Sequence, residues 1–149
     1  MSNNIIHIAS DHAGVELKAK VMEYLQGQGM ELVNHGTDSL SSCDYPDYVH
    51  PLAQAVSSNL ALRGILICGS GNGVCITANK YSNVRAALCW DVELAELARL
   101  HNDANVICIP ARFVSEEKAL KMVEVFLQTA FEGGRHLNRV EKITKGLHF

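Results

Sequence analysis

The segment Gly64-Ile-Leu-Ile-Cys68 runs straight into Gly69-Ser-Gly-Asn-Gly73. The first part is apolar without alternation, as in a strand buried on both faces of a parallel sheet. The second exposes successive backbone N–H groups, and a helical stretch to Lys80 follows it. A glycine loop between a strand and a helix N-terminus makes an anion-binding nest. The same alternation recurs on either side. Upstream, Asn4 to Ala9 reads as a strand and Val15 to Gln26 as a helix with Leu17, Val21, Tyr24 and Leu25 on one face. Gly27 and Gly29 close that helix, and Met30 to Asn34 gives the next strand. Pro46 opens a helix in which Val49, Leu52, Ala53 and Val56 recur at helical spacing. Downstream, strands are expected at Val84 to Cys89 and Asn105 to Ile109, beside helices capped by Asp91 and Ser115. The second of these helices is expected to bury Ala119, Leu120, Val123, Phe126 and Leu127.

Five strands separated by helices predict an α/β fold, a Rossmann-like three-layer sandwich around a five-stranded parallel sheet. The 149 residues fit one domain. After Phe131-Glu-Gly-Gly134, the stretch Arg135 to Lys145 forms a C-terminal helical arm with Leu137, Val140, Ile143 and Leu147 as its apolar residues. This arm, about residues 132–149, is expected to pack on a partner subunit.

Composition excludes several classes. An apolar share of 48% with 19% charged residues is a globular balance, which rules out a disordered chain. A net charge of −3 argues against a nucleic-acid binder. Neither a signal peptide nor a membrane-length apolar run is visible. Five cysteines without CxxC spacing point to a reduced, cytoplasmic setting, and no Cys/His set has zinc spacing, so no metal is expected.

Ligands of open α/β sheets sit beyond the carboxyl ends of the strands. Ser10, Asp11 and His12 follow the first strand, Cys68 and Ser70 end the third, and Arg112 follows the fifth. His101 and Asn102, which precede the fifth strand, join them as candidates. The glycine loop lacks the Lys-Ser/Thr of a P-loop and the GxGxxG spacing of dinucleotide sites. Val74 stands where a cysteine phosphatase needs arginine. Aligned amides at a helix N-terminus stabilise a thiolate, so Cys68 is a candidate base. Cys75, Cys89 and Cys108 read as core residues, and Cys43 as an exposed bystander. Asp11 equally suits a routine helix cap. Arg135 and Arg139 share a helix face and, with Arg112, suit a phosphate monoester, although a solvated basic face is the plainer reading.

Ser10-Asp-His-Ala-Gly14, Asp44-Tyr-Pro46, Ile65 to Gly73 leading to Ala78-Asn-Lys80, His101-Asn-Asp-Ala-Asn105, and Glu132-Gly-Gly-Arg-His136 with Arg139 closely resemble the type B ribose-5-phosphate isomerases. That family also holds the galactose-6-phosphate isomerase subunits, and the resemblance covers the chain in order. It implies an aldose–ketose isomerase that needs no metal or cofactor and acts as a homodimer or dimer of dimers with shared sites. Cys68 matches the residue that moves a proton from C2 to C1 of the open-chain sugar phosphate, and His101 the residue that helps open the ring. Some relatives use a glutamate after Gly-Asn-Gly, where this chain has Val74. Ser70 and the amides of Gly69, Gly71, Asn72 and Gly73 match the enediolate site. Ser70 replaces the threonine of some relatives, and either hydroxyl can donate. Asp11, Tyr45 and Asn102 match sugar contacts, while His12, Arg112, Arg135 and Arg139 match the phosphate pocket.

Three rival readings stand beside this one. An isomerase of allose 6-phosphate or galactose 6-phosphate shares the chemistry. A phosphosugar-sensing module would keep the arginines without needing Cys68. A flavodoxin-like redox module predicts a flavin or a CxxC pair, and the CxxC is absent.

Overall fold

Every strand pairing in the sheet is parallel. The computed structural model describes residues 4–146. Strands β1 (Ile5–Ser10), β2 (Glu31–Asn34), β3 (Arg63–Cys68), β4 (Ala86–Leu88) and β5 (Val106–Pro110) lie in the order β2-β1-β3-β5-β4. The three longest strands occupy the middle, and their burial matches their unbroken apolar runs. The helices are α1 (Val15–Gly27), α2 (Pro46–Ser58), α3 (Asn72–Ala78), α4 (Val92–Asn102), α5 (Glu116–Gln128) and α6 (Arg135–Lys145). A short 3-10 turn, His12–Gly14, precedes α1.

Alternation along the strands sorts the core into two layers. Ile6, Ile8, Ile65, Ile67, Ile107 and Ile109 face α1, α4 and α5, where Val21, Leu25, Ala95, Met122 and Phe126 meet them. Ala9, Leu66, Cys68, Val106 and Cys108 face α2 and α3, against Val49, Leu52, Val56 and Val74. The expected three-layer α/β sandwich is therefore the observed one. Each fully buried Ile, Leu or Phe contributes about 1.5–3 kcal/mol relative to exposure.

The caps form as expected, with Asp91 accepting from Val92 N–H and Ser115 from Lys118 N–H. Two elements differ from expectation by two residues or more at an end, the others by one at most. α3 stops at Ala78 rather than Lys80, and β4 is three residues long rather than six. Side chains explain both. Asn79 accepts from Ala86 N–H at 2.8 Å and donates to Ala86 O at 2.9 Å, while Arg85 N–H donates to Asn105 Oδ1. Amide side chains thus take the place of ladder partners there. On α5, Met122 joins the buried face, and Leu120 and Leu127 are only partly buried.

The arm leaves the body at Gly133 and Gly134, both with positive φ, and a Cβ on either would meet nothing within 4 Å. In α6 only His136 is buried, against the end of α4. Leu137 and Ile143 are about half exposed, and Leu147 lies outside the described residues.

Candidate active site

The direction of chain progression reverses between β1 and β3, where open α/β sheets place their ligand crevice. A cleft of about 550 Å³ opens there, lined by Asp11, His12, Ala13, Tyr45, Cys68, Gly69, Ser70, Gly73, Arg112 and Phe113. Cys68 ends β3 opposite Pro110 of β5 and is 5% exposed. The chain then turns so sharply that Gly71, at φ 76°, sends its N–H back to Cys68 Sγ at 3.2 Å. A side chain at position 71 would meet Leu88 Cδ1 at 2.5 Å and the β5 backbone at 3.2 Å, so glycine is required. Ser70 is exposed and accepts from Asn72 N–H.

Close backbone approaches also fix the other cleft residues. Asp11 is the cap of the 3-10 turn, accepting from Gly14 N–H at 3.1 Å, and it still lines the cleft. Gly14 lies so near β3 that a Cβ would sit 2.7 Å from Ile67 O. His12 Nδ1 accepts from Cys43 N–H at 3.3 Å, which puts its proton on Nε2. Cys43 is accordingly half-buried with its sulfur 3.8 Å from that ring, a correction to the bystander reading. The Tyr45 ring lies over Gly73, where a Cβ would come within 2.4 Å of Cζ. The Arg112 guanidinium packs on Gly69 in the same way, at 3.0 Å from the position of a Cβ. Phe113, 75% exposed at the cleft mouth, went unnoticed in the sequence, although it follows Arg112 directly.

The remaining thiols differ from one another. Burial pushes Cys89 up to about 12 and Cys108 well above its ordinary value. Cys75, expected in the core, is only half-buried, and a hydrogen bond from Cys108 lowers it.

Four candidates lie elsewhere in the chain. A helix that feeds a parallel strand ends at that strand's amino end, and α4 delivers His101 and Asn102 there, just before β5. The length of β3, five residue steps from Arg63 to Cys68, separates that edge from the thiol by about 17 Å. Leu100 O accepts from Glu132 N–H, so Arg135 and Arg139 also start from the amino edge. None of the four lines this chain's cleft. His101 and Asn102 therefore lie before β5, as the sequence order implied, and not beside the carboxyl-end candidates of the same chain. His101 is instead stacked on His136 with ring centroids 4.2 Å apart, and both approach Glu132. Burial, followed by the neighbouring His101, lowers the proton affinity of His136.

The ribose/galactose isomerase family profile matches residues 6–143. The chain belongs to that family. Membership makes it an aldose–ketose isomerase, and the match spans nearly all of the described fold. The chain is 50% identical to the probable ribose-5-phosphate isomerase B of Mycoplasma pneumoniae, covering 95% of this chain and 93% of that one. It is 42% identical to ribose-5-phosphate isomerase B of Escherichia coli, covering 93% of each. Among solved structures, the family member from Mycoplasma genitalium with bound ribulose-5-phosphate superposes at TM-score 0.92, with 43% identity and 95% of both chains covered. The Thermotoga maritima enzyme gives 0.91 at 50% identity, covering 95% of this chain and 97% of that one. No helix among the described residues is long and apolar enough to cross a membrane.

Proposed function

We propose that this isomerase interconverts ribose 5-phosphate and ribulose 5-phosphate through an enediolate, in sites that two copies of the chain build together. The carrying observation is the base of the cleft, where Cys68 ends the central strand and Gly71 N–H points at its sulfur. Acting as the base, Cys68 takes the C2 proton of the open-chain aldose, and the electron pair moves through C1 onto O1. The loop amides and the Ser70 hydroxyl donate to the developing oxyanion, a contribution of roughly 3–4 kcal/mol per well-placed donor. The hydroxyl proton on O2 passes to O1, and Cys68 returns the carbon proton to C1 as C2–O2 becomes the ketose carbonyl. Asp11 and Tyr45 hold the sugar, and His12 and Arg112 receive the phosphate.

His101 as ring opener, with Asn102, Arg135 and Arg139 as further contacts, then comes from the second copy. Two observations support this. These residues lie about a strand's length from their own cleft, and the arm that carries the arginines leaves Leu137 and Ile143 exposed. A homodimer, or a dimer of dimers, follows from the same reading, with the arm packing on its partner. A cytoplasmic setting agrees with five free thiols.

Steady-state turnover of ribose 5-phosphate, allose 6-phosphate and galactose 6-phosphate by metal-free protein tests the proposal. A clear preference for the pentose is expected. Preference for a hexose moves the substrate and keeps the mechanism, whereas no turnover of any of the three overturns the assignment.

A further inference from the structure

At the amino edge, three side chains converge that no spacing along the chain announces. His101 comes from the last turn of α4, Glu132 from the segment between α5 and α6, and His136 from the first turn of α6. One ligand atom from each lies within 4.8 Å of the other two. Glu132 Oε2 is 3.3 Å from His136 Nε2 and 3.5 Å from His101 Nε2. These distances are long for charge-assisted hydrogen bonds, which fall near 2.7–2.9 Å. They match the edge of a tetrahedron built on metal–ligand bonds of about 2.0–2.1 Å, an edge of roughly 3.3–3.4 Å.

We propose that His101, Glu132 and His136 form a binding site for a divalent transition-metal ion of the zinc class. Two imidazoles and one carboxylate are a zinc donor set that leaves a fourth position open to water or a ligand oxygen. The rings are nearly parallel, with planes 12° apart, so one of them has to leave the stack to aim its lone pair at a shared ion. His101, with a side chain 39% exposed, has the room, while buried His136 and the arm fix the other side. Arg135 and Arg139 flank His136 and weaken the attraction for a cation, which makes the site one of modest affinity. Occupancy takes His101 away from substrate. Zinc is therefore an inhibitor that chelation reverses, a consequence that rests on the ring-opening role given to His101 above.

Binding is measured first, without reference to turnover. Metal-stripped full-length protein is titrated with Zn2+ by calorimetry, and with Co2+ for the visible bands of tetrahedral coordination. One ion per chain is expected, retained in Cys68→Ala and lost in both Glu132→Gln and His136→Asn. Glu132 is 54% exposed, so its variant keeps the fold even where the buried histidine's does not. Absence of saturable binding, or full binding in Glu132→Gln, overturns the site. Binding that is lost in Glu132→Gln but leaves wild-type turnover untouched upholds the site and removes the ring-opening role of His101 instead.

Discussion

The two edges of the sheet hold their candidate groups by different means. At the carboxyl edge, main chain does the holding. Cys68, Arg112, Tyr45 and Asp11 are each locked by an approach to a glycine or a backbone N–H that leaves no space for another atom. At the amino edge, His101 is partly exposed, and Asn102, Arg135 and Arg139 project from helix surfaces. The difference separates a half held by close backbone contacts from a half whose side chains are presented on helix surfaces, which under the proposed shared site meet a second copy of the chain. Proton transfer is sensitive to misplacement on the ångström scale. The edge built from backbone therefore suits the base role proposed for Cys68.

The sharpest way to break this contrast is to inactivate each edge in a different chain. Cys68→Ala is expected to lower turnover by about 10²–10⁴-fold with KM nearly unchanged, and His101→Asn to impair ring opening. When the two inactive proteins are unfolded, mixed in equal amounts and refolded, half of the dimers are mixed. Each mixed dimer regains one intact site of two, or about one quarter of wild-type activity overall. No recovery would place both groups in one chain's site and end the shared-site reading.

A second expectation sharpens the claim that the carboxyl edge tolerates no atoms. Gly71→Ala combines left-handed backbone with a 2.5 Å collision against Leu88. It should cost about 2–4 kcal/mol in chemical denaturation. The open positions Gly133 and Gly134 lack such a collision, so alanine there should cost only the strain of positive φ. Equal losses at positions 71 and 133 would erase the distinction.

The smallest expected effect concerns pH. His7 Nδ1 and His35 Nε2 are 2.8 Å apart, and burial lowers the proton affinity of both, with the charge of His35 adding to the effect on His7. The unfolded chain therefore takes up protons first as pH falls. The stability from these neutral rings is complete above the ordinary histidine value of about 6.5 and is lost as pH drops below it. His7→Gln should flatten the acid side of a plot of melting temperature against pH. An unchanged slope would assign that loss to other groups.

Much of the fold was legible because unbroken apolar strands and the Asp91 and Ser115 caps are local signals. The length of β4 was not, since it depends on Asn79 and Asn105 reaching across from other segments. Within the site, Cys68 and its glycine loop could be read from adjacency alone. The contact of Cys43 with His12 spans 31 residues and leaves no periodic trace. The placement of His101 and Asn102 was readable in principle, because a helix entering a parallel strand always finishes at the strand's amino end. The cluster of His101, Glu132 and His136 required the arm's path, which no spacing encodes.

The bend at Gly133 and Gly134 has a consequence for divergence within the family. Its angle is set by two backbone conformations with open space around them and by the seat of His136 against α4, and neither touches the cleft around Cys68. Replacement or insertion there re-aims Arg135 and Arg139 while leaving Cys68 and its loop undisturbed. Under the proposed roles, the group that moves the proton and the arginines that receive the phosphate lie in stretches of the chain that can change separately.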